Sequence, residues 1–71
     1  MEKIDRETLR AILVFMEKHR YPPSVADIAV LLRRTTTPTY QRLLRLKALG
    51  LVTWEPGRSR TLRLREQEKD V

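Results

Sequence analysis

The sequence predicts a small, mainly α fold of three helices closed by one β-hairpin. Apolar residues recur at helical spacing in three stretches, each opened by a capping residue. Pro22-Pro23 and Gly50 punctuate those stretches. From Leu51 onward the period changes to two, around the turn signal Pro56-Gly57.

The first helix is expected from Arg6 to His19. Asp5 supplies the N-cap, and Glu7 adds negative charge to the first turn, complementing the helix dipole. Leu9, Ile12, Leu13 and Met16 form the inward stripe, with Phe15 on its edge and Val14 off it. The cluster Lys18-His19-Arg20 suits a helix C-terminus, and Tyr21-Pro22-Pro23 stops the helix because proline blocks continuation.

The second helix is expected over Val25–Leu32. Ser24 and Asp27 make the S-x-x-D variant of a capping box ahead of the buried face Val25, Ile28, Ala29, Leu31 and Leu32. Arg33-Arg34-Thr35-Thr36 follows as a turn without glycine. A third helix is expected from Pro38 to Leu49, with Thr37 as N-cap and proline at the first helical position. Leu43 and Leu46 point inward, helped by Thr39 and Leu49, which leaves Tyr40, Gln41, Leu44 and Arg45 toward the other side. Gly50 ends the helix as a left-handed residue.

Leu51–Glu55 and Arg60–Arg65 read as the arms of a hairpin, with Leu62 and Leu64 inward and the arginines outward. The expected organisation is one domain over residues 1–65 and a polar tail over 66–71. Three helices plus a hairpin, with a short turn between the second and third helices, is a winged helix-turn-helix layout.

Composition excludes several classes. A chain of 71 residues makes one domain at most, hiding only about 60% of its unfolded surface. It has no cysteine and one histidine, so neither a disulfide nor a zinc site is expected. No apolar run reaches the roughly 20 residues that cross a bilayer. The opening Met1–Glu7 is charged rather than signal-like, and the expectation is a soluble, cytoplasmic chain. There is no Ser–His–acid set, no Gly-rich phosphate loop and no carboxylate pair that must face each other. The sequence therefore predicts no enzyme, no cofactor, no metal, no small-molecule ligand and no membrane association.

Charge points to a partner. Residues 33–65 carry nine basic side chains against the single acid Glu55, whereas residues 1–32 carry five of each sign. A basic stripe on a helix and a hairpin is an electrostatic footprint for a phosphate backbone. In a helix-turn-helix the third helix enters the major groove and its N-terminal residues reach base edges. Thr36, Thr37, Tyr40 and Gln41 are hydrogen-bonding residues at that end. Glutamine pairs with adenine, and threonine offers a hydroxyl and a methyl that fits against thymine. Arg42 and Arg45 suit guanine or phosphate, and Arg58 and Arg60 at the hairpin suit a neighbouring phosphate or minor groove. Arg34, in the turn, and Ser24, at a helix N-terminus, complete the candidate set. Most have a plainer alternative: ion pairing within the chain for Arg42 and Arg45, capping for Ser24 and the threonines, packing for Tyr40, a surface position with no partner for Gln41, and charged protection of a hairpin edge for Arg58 and Arg60. Trp54 suits packing, and His19 is an ordinary helix-end residue.

Tyr21-Pro22-Pro23-Ser24-Val25-x-Asp27-Ile28-Ala29 resembles the N-terminal DNA-binding domain of LexA-type repressors. So do the spacing Leu43-x-x-Leu46-x-x-x-Gly50-Leu51-Val52, the wing Gly57-Arg58-Ser59-Arg60-x-Leu62-Arg63-Leu64, and the first-helix core Ile12, Leu13, Phe15 and Met16. The resemblance spans residues 5–65 and implies a winged helix that binds double-stranded DNA. LexA-type repressors carry a self-cleaving peptidase domain, with a Ser–Lys pair, after a linker, and dimerise mainly through it. That domain has no counterpart in these 71 residues. Where the family's recognition helix carries two acidic residues this chain has Tyr40 and Gln41, and Arg33-Arg34 replaces a glycine-containing turn. The resemblance therefore implies the DNA-binding mode with a different base code. The expected function is a sequence-specific transcriptional regulator, most simply a repressor, with a homodimer on a palindromic site as one arrangement. The alternative is a winged helix used as a protein-interaction module on RNA polymerase or a replication factor, which calls for an apolar outward face on the third helix.

Overall fold

Each element starts and stops where its backbone ends find partners. The computed structural model describes residues 2–65. It places α1 at Lys3–Lys18, α2 at Val25–Leu32, α3 at Thr36–Ala48, β1 at Val52–Thr53 and β2 at Arg63–Leu64. The tail expected over 66–71 lies outside the described residues. This is the predicted arrangement of three helices and a small antiparallel hairpin, a winged helix-turn-helix.

α1 begins before the predicted Arg6. Glu2 is the N-cap, and Asp5 sits at the third helical position, where its carboxylate accepts the Glu2 N–H at 3.2 Å. An acid at that position bonds back to the cap as readily as it caps directly, which carries the helix one turn further upstream. The inward stripe is also rotated. Thr8, Ala11 and Ile12 are buried, while Leu13 and Met16 are 47% and 37% exposed. Val14, expected off the stripe, is half-buried. Thr8 is tolerated inside because its Oγ1 donates to the Ile4 carbonyl at 2.7 Å.

α2 occupies its predicted span. The Ser24 hydroxyl accepts the Asp27 N–H at 3.1 Å, and the Asp27 carboxylate accepts the Ser24 N–H at 3.0 Å. Ile28 and Ala29 are buried, but Leu31, expected inward, is 47% exposed. The helix closes with Arg33 in the left-handed region at φ 58°. Arg33 N–H donates to the Val30 carbonyl at 3.1 Å and Arg34 N–H to the Ala29 carbonyl at 2.9 Å. This paired closure usually has glycine at the left-handed position.

α3 begins at Thr36 with Thr35 as its cap, not at Pro38 with Thr37. Pro38 therefore lies inside the first turn, where no N–H has an intrahelical acceptor and its absence costs nothing. Thr39, Leu43 and Leu46 are buried, whereas Leu49 follows the last helical residue and is 53% exposed. Gly50, at φ 80°, ends α3 by the same closure that Arg33 gives α2. Its N–H donates to the Lys47 carbonyl and the Leu51 N–H to the Leu46 carbonyl.

In the hairpin Val52 lies opposite Leu64 and Thr53 opposite Arg63. Regular pairing is shorter than the sequence alternation suggests. Beyond it the arms are joined by Thr61, whose Oγ1 accepts the Glu55 N–H at 2.8 Å. Val52 and Leu62 complete a core with Ala11, Ile12, Ile28, Leu43 and Leu46, and Leu64 is half-buried.

The two left-handed helix ends give opposite expectations. Arg33→Gly removes a Cβ clash and is expected to raise stability by roughly 0.5–1 kcal/mol. Gly50→Ala, at a site with open space around it, introduces that clash and is expected to lower stability by about 1 kcal/mol. Urea denaturation of the two variants checks both signs.

Candidate nucleic-acid interface

The helical period decides what α3 shows. With Thr39, Leu43 and Leu46 turned inward, the opposite line carries Thr37, Gln41 and Leu44, all exposed. Thr36 is exposed beside them in the first turn, and Arg33 and Arg34 are exposed in the turn that precedes it. Neither arginine forms an ion pair among the described residues. Leu44, 44% exposed, belongs to this face.

One flank of α3 meets the wing. The Tyr40 ring lies 6.2 Å from Trp54, and Lys47 Nζ stands 4.4 Å over the Trp54 ring. Tyr40 thus packs on the wing while remaining 44% exposed. A groove of about 140 Å³ runs between α2, α3 and the wing, lined by Val25, Tyr40, Leu43, Trp54, Arg58 and Leu62 among others. Ser24 also lines it, but its hydroxyl is engaged in the capping box.

The other flank meets the start of α1. Asp5 is fully buried, and both of its oxygens are used. Oδ1 accepts Arg42 Nη1 at 3.1 Å. Oδ2 accepts Arg45 Nε at 3.4 Å and the Glu2 N–H at 3.2 Å. Arg42 Nη1 also reaches Glu2 Oε1 at 3.4 Å. Burial pushes the Asp5 carboxyl up, but the Glu2 N–H and the Arg45 and Arg42 guanidiniums outweigh it and hold the group below its ordinary 3.8. Both arginines therefore have a partner inside the protein, and Arg45 still keeps a side chain 49% exposed.

The wing arginines divide in the same way. Arg58 is exposed and only loosely paired with Glu55, at 3.4 Å. Arg60 is latched to the α1–α2 connection. Its Nη1 donates to the Pro22 carbonyl at 3.1 Å and to Asp27 Oδ2 at 3.0 Å, and its guanidinium lies 4.7 Å over the Tyr21 ring. Arg60 itself has a left-handed backbone, φ 57°, a conformation costly for a residue with a Cβ and held here by those contacts. The Ser24 N–H, outweighing burial and aided by the Ser24 hydroxyl contact and Arg60, holds the Asp27 carboxyl below its ordinary value.

Sequence reasoning placed Thr36, Thr37, Tyr40 and Gln41 toward the outward side of the third helix; all four are exposed, Thr37 and Gln41 on the outward line and Tyr40 on the wing flank. The ion pairing within the chain given as the alternative for Arg42 and Arg45 is present, with Asp5 as the partner that the sequence did not single out, whereas the Arg60 latch to Asp27 was missed; these contacts join residues 33–40 positions apart. Sequence reasoning also missed Lys47 on the wing side of α3. The signal for Leu44 was present, since it follows Gln41 by three and Thr37 by seven. Among the described residues no cluster of His, Cys, Asp or Glu could hold a metal ion, and no helix is long and apolar enough to cross a membrane.

A helix whose first turn is exposed and polar, flanked by cations and by a wing, defines a helix-turn-helix DNA-binding module. Residues 2–61 match the family model described as the LexA DNA binding domain, and the chain belongs to that family. It is a DNA-binding regulator. A comparison with curated proteins finds no match.

Asp5 and Asp27 make stability acid-sensitive. A carboxyl whose folded pKa is depressed contributes stability that is present above the unfolded value and is lost as pH falls through the folded one. Stability is therefore expected to fall as pH drops below 3.8, the ordinary value for both groups. Asp27→Asn is expected to lower stability at pH 7 and to flatten this acid limb. Urea midpoints between pH 7 and 2.5 check it, and an unchanged limb would count against the latch.

Proposed function

We propose that this chain is a sequence-specific transcriptional repressor acting by occupancy of double-stranded DNA. The carrying observation is the line Thr37–Gln41–Leu44, which stands exposed at the end of α3 while the opposite line is fully packed. A major groove about 12 Å wide admits one helix. With α3 in it, Thr36, Thr37 and Gln41 reach base edges, Leu44 meets a thymine methyl, and Tyr40 lies against the strand nearest the wing. Arg34 at one end and Arg58 at the other follow phosphates. Ser24, Arg42 and Arg60 act from behind, through capping, the Asp5 clamp and the wing latch.

A single module of this size makes a small interface, in the range of about 600–1,000 Å². Two copies on a two-fold symmetric site are the simplest route to tight binding. The rival role, docking on a protein such as RNA polymerase, needs an apolar outward face on α3. Leu44 is the one large aliphatic residue on that line, followed only by Ala48, so the surface favours nucleic acid.

Selection of bound duplexes from a random pool is expected to return a preferred sequence, with two-fold symmetry if two copies bind. Affinity for a fixed duplex is expected to fall with salt at a log–log slope of about −4 to −5, for about five neutralised phosphates; a flat response would favour the protein-partner role. Gln41→Ala is expected to blur the preference at one base pair, at a cost of about 1–3 kcal/mol for the preferred site only. Arg58→Ala is expected to weaken binding to every duplex alike and to make the slope shallower by about one. Equal effects of both variants on all sequences would remove Gln41 as a base reader.

A further inference from the structure

The clamp on Asp5 treats its two arginines differently. Arg42 engages Asp5 through Nη1, the same nitrogen that reaches Glu2, and its side chain is 27% exposed. Arg45 engages Asp5 only through Nε, and its side chain is 49% exposed. Its two terminal amino groups have no acceptor among the described residues. A guanidinium held by its Nε edge on a buried carboxylate is biased in orientation, and its terminal nitrogens are left as a two-pronged donor. That donor matches the paired acceptors O6 and N7 of guanine in the major groove. Arg45 sits one residue beyond Leu44 and one turn beyond Gln41, at the border of the exposed line of α3. The buried carboxylate does more than neutralise charge, since it removes rotamer freedom that a long side chain would otherwise lose on binding.

We propose that Arg45 reads a guanine through its terminal amino groups and that Asp5 is its positioning residue, orienting the guanidinium before DNA arrives. The inference rests on the base-reading role of α3 proposed above, and adds one named base and the residue that presents its reader.

The test uses the full chain. Wild type and Arg45→Lys are each used to select duplexes from a random pool, and binding is then measured with the four base pairs at each selected position. Arg45→Lys keeps the charge and removes the fork. It is expected to lose a guanine preference at one position, by about tenfold, while the other positions stay as they were. Asp5→Asn is expected to weaken the same preference, with folding followed by thermal denaturation. In the free wild-type protein, the Arg45 Nε–H is expected to exchange with solvent more slowly than that of Arg34. If that variant does not fold, the exchange measurement decides the positioning role. If wild type selects no preferred sequence, the base-reading function fails as a whole. If wild type selects a site but Arg45→Lys keeps every base preference, Arg45 is not a reader and this inference alone is overturned. A folded Asp5→Asn chain with full guanine discrimination, or an Arg45 Nε–H as exchangeable as that of Arg34, overturns the role of Asp5.

Discussion

The exposed face of α3 depends on one packing constraint, the burial of Leu43 and Leu46 in a core with Ile12 and Ile28, with Thr39 buried on the same side of the helix. An α-helix cannot hide one line of side chains without presenting the opposite line. Once Leu43 and Leu46 are committed to the core, Thr37, Gln41 and Leu44 face out, and the residues between fall on two flanks. Tyr40 and Lys47 meet Trp54 on the wing, and Arg42 and Arg45 meet Asp5 on α1. The buried Thr39 would be a liability in such a core. Its hydroxyl is satisfied by the Thr35 carbonyl at 2.8 Å, so a polar residue serves the apolar stripe without an unpaired group.

Charge in the sequence and charge on the surface are different quantities here. Of the nine cations between residues 33 and 65, Arg42, Arg45, Arg58 and Arg60 have carboxylate partners, and Lys47 rests on an aromatic face. Those partners are not equivalent. The Arg58–Glu55 pair is exposed on both sides and contributes little, so Arg58 is released at little cost. Arg60 is tied by a carboxylate, a carbonyl and an aromatic ring at once, and its release would also leave a left-handed backbone unsupported. The basic stretch therefore holds both loosely paired, exposed cations and fixed internal braces. The braces set the angle at which wing and α3 are presented together.

The sequence was legible where structure is local. α2 was read to the residue because Ser24 and Asp27 cap it within four positions. Gly50 marked the end of α3 for the same reason. The starts of α1 and α3 were misplaced because Asp5 and Thr37 are each good caps, while the chain uses Glu2 and Thr35. Asp5 is worth more inside the first turn, where it reaches Arg42 and Arg45, and no local rule contains that information. The exposed polar end of α3 was legible from its period, whereas the choice between DNA and an internal acid for each of its arginines was not. That choice is set by contacts 37 to 40 residues apart.

The fold and the base code are separable for a physical reason. Family membership is carried by residues that cap, turn and pack, such as Ser24, Asp27, Leu43, Leu46 and Gly50, and none of these faces outward on the exposed line of α3. Exposed positions make few contacts within the protein, so they change at little cost in stability. Tyr40 and Gln41, which stand where LexA-type repressors carry acids, are both exposed. An acid offers only acceptors to a base, which suits cytosine N4, whereas glutamine offers a donor and an acceptor, which suits adenine. In this chain the acids that bear on α3 are instead Glu2 and the buried Asp5, at the start of α1, which pair with its arginines. The exposed line of α3 carries no acid, and the negative charge beside the helix stands on its flank, where it holds Arg42 and Arg45.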